Sequence, residues 1–299
     1  MTLLGGPPSH AAPQASSAGA REGQARRGPI LVALEHQPAD ELLLEQVRPL
    51  AERHGLPLIL WRSVAPDDFT RQRAAGYVAS VAAGLRAFGV SAGARIATGS
   101  DAAAELAREL EATRPSWVAG LGTSGLPRRG SGELARRLIG SGAPALLSTA
   151  RGAAASPARI RQVLVPLDGS ARAARILPAV ADLARAHGAR VMLLRVARRR
   201  DHLFDETPVT TTSLADSLLH ARRTLVEAGV DAVALGRFGD PAAEVVACAE
   251  ERGVELIALT AGRRRGLRRW LSPSVTDHAL REFTGALLVR DDDAALAAS

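Results

Sequence analysis

The sequence predicts an α/β protein made of two tandem, open, parallel five-stranded sheets, each with helices on both faces in a Rossmann-like arrangement. Three observations carry this expectation. From Pro29 onward, strand-length apolar runs alternate with helix-length segments, the pattern of a parallel sheet with crossover helices. The alternation restarts at Gln162. The two stretches also align with each other: at an offset of 133, L-A-E-R-H-G-L-P-L-I-L-W-R (50–62) and L-A-R-A-H-G-A-R-V-M-L-L-R (183–195) agree at six of thirteen positions.

Taken in chain order, residues 1–27 are rich in Ala, Gly, Pro and Ser without an apolar period, which predicts a disordered tail outside the fold. I-L-V-A-L (30–34) reads as the first strand, Glu41–His54 as a helix and L-P-L-I-L-W (56–61) as the second strand. Gly99–Ala107 (G-S-D-A-A-A-E-L-A) parallels Gly239–Ala247 (G-D-P-A-A-E-V-V-A), and A-L-L at 145–147 parallels A-L-L at 286–288, so each unit reads β-α-β-α-β-α-β-α-β. The last strands fall at Ala145–Ser148 and Ala286–Arg290. The stretch A-R-G-A-A-A-S-P-A-R (150–159) has linker composition, which cuts the chain near residue 155. The expected divisions are a first domain at 28–150, a linker at 151–160, a second domain at 161–290 and a C-terminal tail at 291–299.

Composition removes several function classes. With 299 residues, 46% of them hydrophobic, the chain can bury two ordinary cores. No apolar run approaches the length of a membrane helix, and the N-terminus lacks the charged start and apolar centre of a secretory signal, so a cytoplasmic protein with no membrane partner is expected. Cys248 is the only cysteine and lies in A-A-E-V-V-A-C-A-E-E, where a small buried hydrophobe is the expected role. The seven histidines show no ligand spacing, and no metal is predicted. The net charge of +7 comes entirely from arginine, because the chain contains no lysine. P-loop, protein-kinase and Schiff-base chemistry each need a lysine and are excluded. Aromatic residues make up 3% of the chain, which leaves few stacking platforms and disfavours nucleic acid as a partner.

Residues 163–170, V-L-V-P-L-D-G-S, run from a buried strand into a turn that opens a helix. In a doubly wound sheet the ligand crevice lies at the C-terminal strand ends, where the strand order reverses, which puts Asp168 on that rim. Two readings stand beside each other: a ligand-facing acid, or a capping turn whose oxygens serve the orphan N–H groups of the helix.

These residues resemble the universal stress protein family in its tandem two-domain form. V-L-V-P-L-D-G-S, the His-Gly turn before a second strand ending L-L-R-V, the F-G-D-P-A-A-E-V-V helix start and the final A-L-L-V-R are similar to that family in order and spacing. The resemblance spans nearly all of 28–290, strongly over the second half and through the internal repeat over the first.

The family contains ATP binders and non-binders, and the binders share a loop G-x2-G-x9-G-[ST] after the fourth strand, whose bare backbone and following helix N-terminus hold the phosphates. In the second half the matching stretch, 260–275, has Thr260, Arg263 and Pro273 at the three glycine positions and keeps Ser274. The resemblance thus implies a degenerate nucleotide site at Pro166, Asp168, Val196, Gly262, Arg263, Gly266, Ser274 and Val275. In the first half a remnant comprises Glu35, Gly122, Gly125, Gly130 and Ser131, with four residues between Gly125 and Gly130 and Glu35 in place of the first-strand acid.

Three other signals are weaker. G-L-G-T-S-G (120–125) matches the dinucleotide fingerprint, but L-P-R-R-G-S-G follows where a helix should start at once. The arginines of 263–269 and Arg198–Arg200 read either as solvated surface or as a phosphate clamp. No nucleophile with a paired base is visible, and no catalytic residue is assigned.

The expected function is a non-catalytic stress-response binding or regulatory module with degenerate nucleotide sites. It needs no certain cofactor, ATP being the candidate, and its partners are an adenine nucleotide and its own other half, paired through the last strand, with a homodimer as a further candidate. The alternative is an ATP- or AMP-binding stress protein, or slow ATPase, in which arginine replaces the glycine loop. A third reading, a nucleic-acid-associated protein using the arginine clusters, would bind with steep salt dependence.

Overall fold

A computed structural model describes residues 28–122, 131–149, 159–197, 211–261 and 275–291. The first half runs β1 (Ile30–Ala33), α1 (Ala39–His54), β2 (Leu58–Val64), α2 (Asp68–Ala87), β3 (Ala92–Thr98), α3 (Ala102–Thr113), β4 (Trp117–Gly122), α4 (Ser131–Ile139) and β5 (Ala145–Thr149). The second runs β6 (Gln162–Pro166), the short α5 (Ala171–Ala174), α6 (Leu177–His187), β7 (Arg190–Ala197), α7 (Thr211–Glu227), β8 (Ala232–Phe238), α8 (Pro241–Glu251), β9 (Leu256–Ala261), α9 (Val275–Glu282) and β10 (Ala286–Asp291).

The two five-stranded sheets are joined edge to edge into one ten-stranded sheet of order β3-β2-β1-β4-β5-β10-β9-β6-β7-β8. Every neighbouring pair is parallel except β5 and β10, which run antiparallel with Leu147 opposite Leu287. That seam covers the apolar edge Ala286–Val289, which would otherwise be an open template for pairing. Within each half the order reverses between the first and fourth strands, so each half has its own crevice: beyond β1 and β4 in the first, beyond β6 and β9 in the second.

Central strands such as β1 and β4 are buried along their whole length, as expected for strands covered by helices on both faces. The outermost strands β3 and β8 instead alternate, because one face of each is wetted. One core layer holds Val32, Leu60, Val165, Leu193 and Leu288, and the opposite layer holds Leu31, Leu147, Leu164, Ile257 and Leu287; both layers run across the seam. Cys248 is fully buried in the second layer, in keeping with a packing role.

The repeat seen in the sequence is a repeat of turns. Gly55 and Gly188 end α1 and α6 in the left-handed region, at φ of 62° and 65°, each followed by a strand. Asp101 and Asp240 cap α3 and α8 by accepting two backbone N–H bonds each. Gly99 and Gly239 precede those caps, and a Cβ at either would strike the side chain of Glu105 or Glu244. On one face α1 packs against α6 across the seam. There the fully buried His187 accepts the Ile160 amide at Nδ1 (3.3 Å) and donates from Nε2 to the Gln46 carbonyl oxygen (2.8 Å). No helix among the described residues is long and apolar enough to cross a membrane.

Candidate functional site

The second-half rim is built by the turn that follows β6. Pro166 ends the strand, Leu167 is anchored by its N–H to the Leu194 carbonyl, and Gly169 turns the chain at φ of 81°. Ser170 is the helix cap: its hydroxyl oxygen accepts the Ala173 N–H at 3.1 Å. Asp168 does not cap the helix itself. Its Oδ1 accepts both the Ser170 N–H (2.9 Å) and the Ser170 hydroxyl (2.6 Å), holding the cap in place while the residue stays exposed on the rim. Partial burial pushes this carboxyl upward, but the Ser170 bonds, with Arg195 and Arg172 nearby, outweigh it and hold Asp168 below the ordinary carboxylate value.

Arg195, from the end of β7, reaches over this turn, its Nη1 3.4 Å from the Leu167 carbonyl oxygen. A Cβ at Gly169 would lie 3.0 Å from that Nη1 and 3.7 Å from the Ser217 hydroxyl of α7. The rim therefore has a bare backbone turn flanked by one carboxylate and two guanidinium groups. Val196 follows Arg195 half-buried on β7, and Val275 opens α9 and packs on the core. The structure thus places Pro166, Asp168 and Val196 at the C-terminal ends of β6 and β7, with Thr260 at the end of β9, where its hydroxyl donates to the Ala173 carbonyl oxygen. Gly262, Arg263, Gly266, Pro273 and Ser274 lie outside the described residues, as do the arginines of 263–269 and Arg198–Arg200.

In the first half the corresponding turn is built differently. His36 stands at the position of Gly169 and adopts φ of 60°, a left-handed conformation that a side chain enters at a cost. The carboxylate that organises the turn is Asp40, inside the first turn of α1. It is fully buried and accepts the Glu35 N–H at 3.2 Å and the Gln37 N–H at 3.0 Å. Burial drives its pKa up, against those amides and the charge of Arg62.

Arg62, at the end of β2, donates from Nη1 to His36 Nδ1 at 2.7 Å, so the other ring nitrogen of His36 carries the proton. The His36 and Tyr77 rings lie 4.6 Å apart, and Arg62 sits 5.9 Å from the Tyr77 centroid. Burial lowers the Arg62 pKa, opposed by Asp40 and Tyr77; burial raises Tyr77, helped by Asp40 and Glu41. Glu35 lies on this rim and Gly122 ends β4; Ser131 opens α4, while Gly125 and Gly130 lie outside the described residues.

Asp40, His36 and Tyr77 carry no motif and were not legible. Arg62 and Arg195 were not singled out either, although as the last of the six matches in the repeat they carried a signal that could have found them. Among the described residues no group of three or more His, Cys, Asp or Glu side chains could hold a metal ion.

A doubly wound sheet with a polar rim at the reversal of its strand order defines a Rossmann-like fold. Residues 159–289 match the Universal stress protein family model. Over 143 residues the chain is 27% identical to universal stress protein YxiE of Bacillus subtilis (strain 168), covering 43% of this chain and 97% of that one. A solved universal stress protein from Archaeoglobus fulgidus DSM 4304 superposes with a TM-score of 0.66 at 16% identity, over 89% of this chain and 99% of that one. A functionally unknown protein from Pseudomonas aeruginosa PAO1 superposes with a TM-score of 0.69 at 17% identity, over 92% and 97%. Residues 159–289 form a domain of the universal stress protein family.

Proposed function

We propose that the protein is a tandem universal stress protein acting as a non-catalytic, cytoplasmic binding module. Its halves, 28–150 and 161–290, form an internal pseudo-dimer about the β5–β10 seam, and the ligand-facing rim is that of the second half. The observation that carries this is the difference at one turn position: Gly169 leaves the second rim bare beside Asp168, Arg172 and Arg195, whereas His36 covers the first. A bare turn flanked by guanidinium groups suits a phosphorylated ligand, and an adenine nucleotide is the candidate.

The second reading, an ATP-binding stress protein or slow ATPase with arginines in place of the glycine loop, rests on Asp168 and Arg195 facing the same rim. Calorimetric titration of the full chain with ATP, ADP and AMP in the presence of magnesium separates the two. Absent or very weak binding and no phosphate release support the module. Tight binding abolished by Asp168→Ala and untouched by Glu35→Ala supports the nucleotide sensor, and tight binding with the reverse dependence overturns the assignment to the second half.

A further inference from the structure

Beside the covered rim of the first half, between the end of β2 and the first turns of α2, lies a pocket of about 480 Å³ lined by His36, Arg62, Thr70, Arg73 and Tyr77, with Ala74 and Gly76 between them. We propose that this pocket is a binding site for a small phosphomonoester, separate from the second-half rim and not dependent on its reading.

The lining chemistry selects the charge of the ligand. Arg62 and Arg73 bring two guanidinium groups, and the His36 imidazole contributes an N–H, because its Nδ1 is taken by Arg62. Tyr77 adds a hydroxyl group, while the Thr70 hydroxyl is held by the Asp67 carboxylate. The lining contains no carboxylate. Of the two acids whose charge reaches Tyr77, Asp40 is fully buried with its oxygens on the Glu35 and Gln37 amides, and Glu41 stands exposed on α1 outside the lining. Asp67 and Asp68, at the start of α2, are committed to the Thr70 N–H and to Arg71. A concavity furnished mainly with donors and carrying two planar cations is complementary to an anion with several acceptor oxygens, and the guanidinium fork matches a phosphate.

The walls select the rest of the ligand. The space exceeds what one phosphate fills, and beyond the charged groups the lining carries the ring of Tyr77 with Ala74 and Gly76 beside it. An aromatic or similarly flat organic group esterified to the phosphate fits that combination. The second half cannot repeat the site. The strand registers relate α2 to α7 by an offset of 140, which puts Ser217 where Tyr77 stands, and Gly169 replaces His36.

The test is titration of the full chain with inorganic phosphate and with phenyl phosphate at fixed ionic strength, followed by calorimetry and by 31P NMR. Phenyl phosphate should bind saturably and more tightly than phosphate. Arg73→Ala, an exposed substitution, should weaken both by about tenfold, as the loss of one charge-assisted contact does. Tyr77→Ser should remove the preference for the phenyl ester, and Asp168→Ala should change neither. Lack of saturable binding overturns the proposal, as does binding indifferent to both Arg73→Ala and Tyr77→Ser or binding lost in Asp168→Ala. Failure of nucleotide binding at the second rim would leave these outcomes unchanged, so the two readings fail separately.

Discussion

The two rims share a backbone and differ in where the organising carboxylate sits. In the second half Asp168 precedes the turn, is exposed, and works through Ser170. In the first half Asp40 follows the turn, is buried, and binds two amides directly. Either arrangement satisfies the N–H groups that a strand-to-helix turn leaves over. In the second half the organising acid itself stays exposed, whereas in the first half it is covered. With the organising carboxylate moved inward, the outer surface of the first rim carries Glu35, His36, Arg62 and Tyr77.

The largest test of that contrast compares Asp40→Ala with Asp168→Ala in chemical denaturation. Removing Asp40 leaves two amides without their acceptor in a buried site and strips Arg62 of its charge partner, a loss of about 2–3 kcal/mol. Removing Asp168 costs under about 1 kcal/mol, because Ser170 still caps the helix and water reaches the vacated position. Equal losses would show that the two acids have the same structural role and that the exposed one is no more available to a ligand than the buried one.

This contrast marks what the sequence could and could not reveal. The alternating elements, the reversal of strand order and the position of Asp168 on the rim follow from apolar runs ended by turn residues, which are local signals. The His-Gly turns at Gly55 and Gly188 were legible because a left-handed C′ position selects glycine. Pairing of the halves through their last strands, though not its antiparallel sense, followed from the family resemblance together with the cost of leaving Ala286–Val289 uncovered. The single sheet it creates, with core layers running through both halves, was not foreseen beyond that pairing. Asp40 could not be found in advance: an acid in the first turn of a helix reads as a favourable partner of the helix dipole on the solvated side, and only the tertiary fold turns it inward. Asp168 was read either as a ligand-facing acid or as a cap, and the structure gives the cap to Ser170.

A second comparison concerns His54 and His187, which occupy equivalent helix ends and meet the opposite half in different ways. His187 is buried with its Nδ1 facing the Ile160 N–H and its Nε2 committed to Gln46, so the folded state has no place for a second ring proton. Burial, the largest influence, lowers its pKa from 6.5, with Arg159 acting in the same direction and the Gln46 carbonyl opposing. The unfolded chain takes up the proton first. This contribution to stability is therefore complete above pH 6.5 and is lost as pH falls below it toward the depressed folded value, with a slope approaching about 1.4 kcal/mol per pH unit. His54 instead faces the Asp182 carboxylate at 3.7 Å, an ion pair when protonated. Denaturation midpoints between pH 5 and pH 7.5 should fall on acidification in the wild type and flatten in His187→Gln. An unchanged slope in that variant would place the acid sensitivity elsewhere.

The smallest effects come from exchanging the turn residues themselves, and here the sign matters more than the size. Gly169→Ala forces a Cβ into the left-handed region at φ of 81° and brings it to 3.0 Å from Arg195 Nη1. The arginine end can move, so the cost is mainly backbone, about 1 kcal/mol. His36→Gly relieves a strain of the same kind at φ of 60°, but it gives up the Arg62 hydrogen bond and the Tyr77 contact and adds the unfolded-state freedom of glycine. Those terms oppose each other and leave a net change within about 0.5 kcal/mol of zero. Thermal denaturation of the two single variants should therefore show a clear loss in the second half and almost none in the first. A large loss in His36→Gly would mean that the imidazole supports the first rim, rather than occupying a turn that Asp40 has already fixed from within.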